Sequence, residues 1–354
     1  MTKHESASAG GKPVSVTDLS HGQTSDWDAF VYAHPNGTFF HRSAWREIFE
    51  DVLGHRTHYL QCHRGDRLTG VLPLTQVKSL LFGNSLISSP FLVYGGPLAE
   101  DEASADALVA AAMERADALK VDTLEMRSRD VALPGDWLSI SSHVTFRKAI
   151  LPTPEENLTA IPRKQRAMVR KGIKAGVDVT IDETADDLYA TLLECKRNLG
   201  TPFFSRRFLQ AIKDKFGDDA EILTLRKDKQ IICSVMSFVF RDEILPYYGG
   251  GGAIARRYYG NDFMYWSVME RAREAGIQIF DYGRSQRDSG AYRFKKHWGF
   301  EPTEMHYQVK LINAREVPEK DPNSAKYKHL VNVWKKLPLP IAGAVGPYLA
   351  KRLG

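Results

Sequence analysis

Apolar and polar positions along this chain follow a pattern that occurs twice. Residues 38–54 (TFFHRSAWREIFEDVLG) place apolar side chains at helical spacing behind a Phe-Phe pair, and residues 202–217 (PFFSRRFLQAIKDKFG) do the same. Each segment has an Arg two residues after the pair and a closing Gly, and each predicts an amphipathic helix. Two β-rich runs around a polar turn come next in both places, 57–78 (THYLQCHRGDRLTGVLPLTQVK) and 221–240 (EILTLRKDKQIICSVMSFVF), which read as hairpins. VYGGP at 93–97 then returns as YYGGG at 247–251, and MERADALKVDTLEMRS at 113–128 as MERAREAGIQIFDYGRS at 269–285. The MERA tetrapeptides are 156 residues apart and the YGG triplets 154, so four blocks keep both order and spacing.

Each copy reads as helix, hairpin, third strand with a Gly-rich end, helix, strand. Asn261 is the expected N-cap of NDFMYWSVMERAREAG and Gly276 its C′ glycine, after which IQIFDY is a strand. A strand, a helix and another strand in this order form a βαβ-type crossover, so each half is α/β with a mixed sheet flanked by helices. The division falls in the Pro-rich, polar stretch 152–162. The expected organisation is a disordered N-terminus (1–17), a first half (18–151), a linker (152–162), a second half (163–315) and a basic amphipathic tail (316–354).

A chain of 354 residues, 43% hydrophobic and 26% charged, has the composition of a globular protein, and its length suits two domains or one duplicated fold. The 27 Gly and 17 Pro fall in no short period, which excludes collagen-like and coiled-coil classes. Three widely spaced cysteines, Cys62, Cys195 and Cys233, offer neither a disulfide framework nor a metal knuckle, and the eleven histidines lack paired-ligand spacing, so no metal site is expected. The first seventeen residues lack an apolar signal region and no run of about 18 apolar residues occurs, so a cytoplasmic protein is expected. The net charge of +5 is concentrated in two places. Six of the twelve residues 163–174 are basic, and residues 322–354 carry Lys326, Lys328, Lys335, Lys336, Lys351 and Arg352 without one acid.

RKQRAMVRKGIKAGVDV (163–179) and FDYGRSQRDSGAYRFKKHWGFEP (280–302) resemble the Fem-type branch of the GNAT acyltransferase superfamily, whose members carry two GNAT-like halves. The whole pattern, with its Pro-interrupted basic tail, is most similar to the FemAB-related proteins associated with PEP-CTERM/exosortase systems of exopolysaccharide-producing bacteria. The resemblance spans roughly residues 20–315. It implies a tandem GNAT-like fold and transfer of an acyl or aminoacyl group to an amine, here an acceptor of the cell-envelope or exopolysaccharide pathway at the inner face of the cytoplasmic membrane. It leaves open whether acyl-CoA or aminoacyl-tRNA is the co-substrate. No tightly bound cofactor is implied.

Acyl transfer needs a held electrophile, an amine that loses a proton, and positive charge or N–H groups where the oxyanion develops. Similarity to the Fem Phe-Lys pair makes Phe294 and Lys295 substrate-contacting, with the ammonium stabilising a phosphate or the oxyanion; the alternative is an ordinary helix lysine, as expected of Lys296 and Arg293. Asp281 and Tyr282 end an apolar strand, and strand ends in α/β sheets face ligand crevices. Asp281 can orient or deprotonate the amine, although its counterpart in the MERA register, Glu125, points equally to a structural acid. Arg284 can pair with Asp281 or with an anionic substrate. Tyr248 can hydrogen-bond the intermediate or simply pack.

Arg257-Tyr-Tyr-Gly260-Asn261-Asp262 is a degenerate version of the GNAT loop that cradles the acyl-CoA pyrophosphate on a helix N-terminus. Asp262 stands where Gly or Ala is expected, and its charge would repel pyrophosphate. Arg163, Arg166, Arg170 and Lys174, spaced three, four and four apart, share one helical face, with Ile161, Val169 and Ile173 available for packing. That face is either solvated or contacts phosphates, of a tRNA backbone or of a lipid-linked diphosphate. The tail 322–354, with Trp334 and a Pro-broken apolar run, suits an anionic membrane surface or packs on the second half. A second reading of the protein is a catalytically silent GNAT fold that binds an anionic lipid-linked saccharide or a protein partner.

Overall fold

Both expected hairpins form, and each seeds a sheet. A computed structural model describes residues 13–20, 22, 24–79, 83–317 and 325–353. The first part of the chain builds β1 (Val14–Asp18), α1 (Thr24–Ala33), a 3-10 turn at Phe39–His41 and α2 (Trp45–Glu47), which runs on as a π-type turn through Val52. The hairpin β2 (Arg56–Arg64) and β3 (Arg67–Ser79) leads to β4 (Gly83–Ser88), β5 (Leu98–Ala99), α3 (Glu102–Ala118), β6 (Thr123–Ser128), β7 (Leu138–Ile140) and β8 (His143–Ala149). The second part contains α4 (Pro154–Ala160), α5 (Arg163–Lys174), β9 (Asp178–Asp182), α6 (Asp186–Leu199) and α7 (Arg206–Phe216). The hairpin β10 (Ala220–Lys227) and β11 (Gln230–Phe240) precedes β12 (Glu243–Gly250), α8 (Ala253–Arg257), α9 (Gly260–Glu274) and β13 (Ile279–Asp281). Then come β14 (Ser285–Gln286), α10 (Gly290–His297), β15 (Pro302–Glu304), β16 (His306–Leu311), α11 (Ala325–Trp334) and α12 (Leu339–Ala350).

One sheet runs β1-β2-β3-β4-β6-β16-β7 and the other β9-β10-β11-β12-β13-β8-β14, with β5 on β3 and β15 on β8. Position by position the two orders match. In each, one parallel pair is bridged by a helix: α3 joins β4 to β6, and α9 joins β12 to β13. The two MERA tetrapeptides therefore occupy the same place in the topology, and the chain has a duplicated fold of two mixed sheets flanked by helices.

The boundary between the sheets is not the boundary near residue 152. β8 precedes the linker yet pairs with β13 (Ile279↔Ala149, Asp281↔Arg147), and β16 pairs with β6 (Tyr307↔Arg127, Val309↔Glu125). The expected halves 18–151 and 163–315 thus exchange a strand. The exchange is driven by burial: Val144 and Phe146 of β8 sink among Phe280, Trp298 and Phe300, while Tyr307 of β16 joins a cluster that both halves share. In that cluster Phe39 stacks on Phe238 with ring centroids 4.5 Å apart, and Trp45 lies 5.0 Å from Phe216. This shared cluster joins the halves, beside a separate core under each sheet.

Other boundaries shift for local reasons. Residues 1–12 lie outside the described residues, but Val14–Thr17, expected to be disordered, form most of β1 on β2, with Val14 and Val16 packing on the sheet. The linker holds α4, begun by a capping box in which Thr153 and Glu156 satisfy each other's backbone N–H. Asn261 is not the N-cap of α9; Tyr259 is, in the left-handed region (φ 55°), because Gly260 already belongs to the helix and presses on β11. A Cβ on Gly260 would come within 2.8 Å of Ile232. Gly276 does end α9, at φ 77°. Ile173, expected to pack, is exposed. The tail's described part forms two helices, with Trp334 buried and α12 packed on α6.

Candidate active site

A cavity of about 570 Å³ opens between the two sheets. Its floor combines the end of β12 (Tyr248), the loop after β13 (Arg284, Gln286), β6 (Thr123, Glu125, Arg127) and β16 (Tyr307, Val309). The walls are Phe91, Phe203 and Phe204, with Lys196 from α6 and Ala350 and Leu353 from the C-terminal helix and its end. The exchange of strands makes this site, since Tyr307 and Val309 reach it only because β16 lies in the first sheet.

Three cations face the space. Arg127 is neutralised by Glu125 at 2.7 Å and donates to the Leu92 carbonyl at 3.2 Å. Arg284 has no carboxylate within 4 Å among the described residues; its guanidinium lies 5.7 Å from the Tyr307 ring centroid and 3.5 Å from that phenol oxygen. Lys196 is also without an ion pair there, its ammonium 5.9 Å from the Phe203 ring, and burial lowers its pKa. The hydroxyl of Tyr248, a residue only 7% exposed, has no hydrogen-bond partner among the described residues. Burial raises its pKa well above the ordinary value, so the phenol stays protonated and can donate. An unsatisfied buried hydroxyl costs about 1–3 kcal/mol, which folds tolerate where a ligand completes the bond.

Lys295 does not face this cavity. Its ammonium donates to the carbonyls of Tyr282 (2.6 Å), Gly283 (2.9 Å) and Arg284 (3.2 Å), using all three hydrogens, and burial lowers its pKa to about 7. The expectation that it touches substrate directly is therefore corrected: it grips the loop that carries Arg284. Asp281 grips the same loop from the other side. It is fully buried and accepts from the Gly283 N–H (2.6 Å), the Tyr94 hydroxyl (3.0 Å) and Thr145 (3.3 Å). Burial, then the nearby Glu243, pushes its pKa up to about 7. With those contacts it cannot reach an acceptor amine, and it pairs with Arg147 at 3.6 Å rather than with Arg284. Tyr282 and Phe294 pack in an aromatic cluster with Tyr265 and Trp298 instead of lining the cavity. Lys296 and Arg293 are exposed, as ordinary surface.

The GNAT-type loop lies on another face. Asp262 turns away from it, accepting from Gln165 of α5 and from the Trp298 indole at 2.9 Å, and burial raises its pKa. Its carboxylate is thus engaged by α5 and by Trp298, just after α10, and not by N–H groups of the loop. Arg257 is exposed, Asn261 half-buried and Gly260 buried. Beside this loop Arg163, Arg170 and Lys174 of α5 are exposed, Arg166 is held at 3.2 Å by the Ile161 carbonyl, and Lys171 lies 5.1 Å from the Tyr259 ring. None of these basic residues has an ion-pair partner among the described residues, so loop and helix present one cationic surface.

Of the residues expected from the sequence, Tyr248 and Arg284 line this cavity; Lys196, Arg127 and Tyr307, which line it too, were not singled out there. Phe203 was visible only as half of a repeated Phe-Phe pair, and Lys196 in LLECKRN carries no local signal. Residues 161–296 match the family model described as Acetyltransferase (GNAT) domain. No curated protein matches the chain. Among solved structures, FemX resembles it with a TM-score of 0.63 at 17% identity, covering 84% of this chain and 98% of that one. The C-terminal domain of an assigned lysylphosphatidylglycerol synthetase from Agrobacterium fabrum follows at 0.55 and 15%, covering 81% and 91%. A tandem GNAT protein from the clavulanic acid biosynthesis pathway gives 0.54 at 11%, covering 84% and 98%. At such identities the likeness speaks for the fold.

Proposed function

We propose that the protein is a Fem-like N-acyltransferase that moves an acyl or aminoacyl group onto an amine-bearing acceptor of the cell-envelope or exopolysaccharide pathway. The observation that carries this reading is the unpartnered Tyr248 hydroxyl beside the unneutralised Arg284 in one cavity of a GNAT fold. The amine nitrogen attacks the acyl carbonyl, the C–S bond of a thioester or the C–O bond of an aminoacyl ester breaks, and the amine's proton leaves with the thiol or hydroxyl. Negative charge gathers on the carbonyl oxygen in between, where Arg284 and the Tyr248 O–H stabilise it. Lys295 and Asp281 act as positioning residues that hold the Tyr282–Arg284 backbone. Arg284 and Lys196 also favour an anionic acceptor, such as a phosphate-bearing one.

The cationic surface of α5 and Arg257 supports a donor carrying phosphates, tRNA through its backbone or the pyrophosphate of acyl-CoA. With the Asp262 carboxylate held by α5 and Trp298, both donors stay open. The motifs that resemble the exosortase-associated subgroup, and the lipid product named for the Agrobacterium fabrum structure, favour an acceptor at the inner face of the cytoplasmic membrane.

Untargeted mass spectrometry of envelope and polysaccharide intermediates from a deletion strain names the acceptor, and turnover of labelled acyl-CoA and aminoacyl-tRNA with it names the donor. Lys295→Ala is expected to lower turnover about 10²-fold while Lys296→Ala changes little. Equal turnover by wild type and Lys295→Ala rejects the loop-holding role. Binding of an anionic acceptor with no turnover of either donor supports the silent, binding-only reading instead.

A further inference from the structure

α12 is apolar on two sides. Ala342, Gly346 and Ala350, spaced by four, form a small-residue side that lets the helix sit close to its neighbours: a Cβ on Gly346 would lie 3.1 Å from the Phe203 carbonyl, and one on Gly343 3.2 Å from Leu193 of α6. Ile341, Val345 and Tyr348, spaced by four and three, form a second stripe and are 48%, 43% and 58% exposed. Leu330 and Val333 on α11 and Leu353 at the end of the chain are exposed too. Six of the fourteen exposed large apolar side chains among the described residues therefore fall within the last 25 residues, and elsewhere no more than two, Val179 and Ile181 of β9, share one element.

The charge that the tail itself carries has one sign. Lys328, Lys335 and Lys336 are exposed, Lys351 and Arg352 half-exposed, and residues 322–354 contain no acid. None of these cations is ion-paired among the described residues. Arg352 folds back so that its guanidinium lies 3.7 Å from the Tyr348 ring centroid and donates to the Tyr348 carbonyl at 2.7 Å, joining a cation to an aromatic ring as at membrane interfaces. A protein partner would have to match an apolar stripe inside an acid-free rim; an anionic bilayer supplies both complements at once. No described helix is long and apolar enough to cross a membrane, and Pro347 inside α12 argues against insertion along the bilayer normal.

We infer that the Ile341–Val345–Tyr348 face of α12 docks flat on an anionic lipid bilayer, with Lys335, Lys336, Lys351 and Arg352 on the headgroups. Ala350 and Leu353, at the end of the same helix, line the candidate active-site cavity. Docking there leaves the width of one helix, ~10 Å, between the headgroups and the cavity, so its acceptor is an amine on a membrane lipid or lipid-linked headgroup; this last step rests on the proposed function, while the docking surface does not.

The test uses the full chain, co-sedimented at low and high salt with phosphatidylglycerol-containing and with pure phosphatidylcholine vesicles. Wild type is expected to pellet with the anionic vesicles, less so at high salt. Val345→Asp/Tyr348→Asp should reduce partitioning about tenfold, and Lys335→Glu/Lys336→Glu should lower the salt-sensitive part, both with unchanged circular dichroism. Wild-type partitioning by folded Val345→Asp/Tyr348→Asp, or no preference of wild type for anionic vesicles, overturns the inference. So does a dimer in sedimentation velocity that this double variant abolishes while vesicles bind neither protein. Transfer to a water-soluble amine measured in parallel separates loss of docking from failure of the acyltransferase reading, because a docking variant keeps it.

Discussion

Tyr94 and Tyr248 come from the same repeated tripeptide, 154 residues apart, and have opposite surroundings. The Tyr94 hydroxyl is bonded to Thr145 at 2.6 Å and to Asp281 at 3.0 Å; that of Tyr248 has no partner among the described residues. The difference extends to the two cavities around them. A second cavity, of about 590 Å³, is lined by Thr38, Phe39, Phe40, Tyr94, Leu245 and Ile279, the counterparts by repeat spacing of Pro202, Phe203, Phe204, Tyr248, Phe91 and Thr123 in the candidate active site. Its arginines are all engaged: Arg147 is salt-bridged to Glu243 and 3.6 Å from Asp281, Arg129 lies 2.7 Å from Asp130, and Arg241, without a carboxylate partner among the described residues, donates to the carbonyls of His34, Pro35 and Gly37. Duplication produced two pockets of nearly equal size. The strand that fills the exchanged slot decided their fates, because β8 brings Thr145 and Arg147 to Asp281 whereas β16 brings Tyr307 and Val309 beside Arg284. A pocket whose charges satisfy one another supports the fold; one whose charges are left open can bind.

If this contrast is functional, equivalent substitutions in the two pockets should have different consequences. Arg284→Ala should lower turnover by about 10²- to 10³-fold with little loss of stability, whereas Arg129→Ala in the other pocket should leave turnover near wild type. Kinetics with the donor and acceptor found as above check this, and equal losses would remove the distinction. Tyr248→Phe should lower turnover about 10²-fold yet raise stability by about 1–3 kcal/mol, since it removes a buried hydroxyl that has no partner among the described residues. Tyr94→Phe should do the reverse, leaving Asp281 and Thr145 short of a partner at a cost of about 1–3 kcal/mol in urea unfolding.

The smallest effect expected concerns pH. His41 is the first-half counterpart of Ser205, which caps α7 through the Phe208 N–H. His41 is buried instead, between the Thr38 hydroxyl (2.7 Å) and the Gly96 carbonyl (2.9 Å), and burial lowers its pKa to about 3. Between about pH 6.5 and 3 the unfolded chain binds the proton that the folded one refuses, so stability is full above 6.5 and falls with pH. Wild type should lose about 2 kcal/mol more than His41→Gln between pH 7 and 5 in urea titrations. His58, also lowered, to about 4, contributes in the same direction to both proteins. Parallel curves for the two would show that the buried imidazole does not carry the acid sensitivity.

The repeated periodicities sufficed for the duplication, both hairpins, both MERA helices and the placing of Tyr248 and Arg284 at or just beyond strand ends, because these depend on local spacing and on which residues end a strand. Three other features depended on contacts between residues far apart in the chain. The exchange of β8 and β16 is invisible locally, since a strand's alternation states that one face is buried but not in which sheet. The roles of Lys295 and Asp281 changed for the same reason: a lysine in a helix and an acid at a strand end look poised for chemistry until the loop they share is seen to use their hydrogen bonds. The tail's composition was legible as basic and apolar, but which of its side chains are spent on α6 and which stay exposed was decided by packing, where small residues let a helix approach and large ones were left outside.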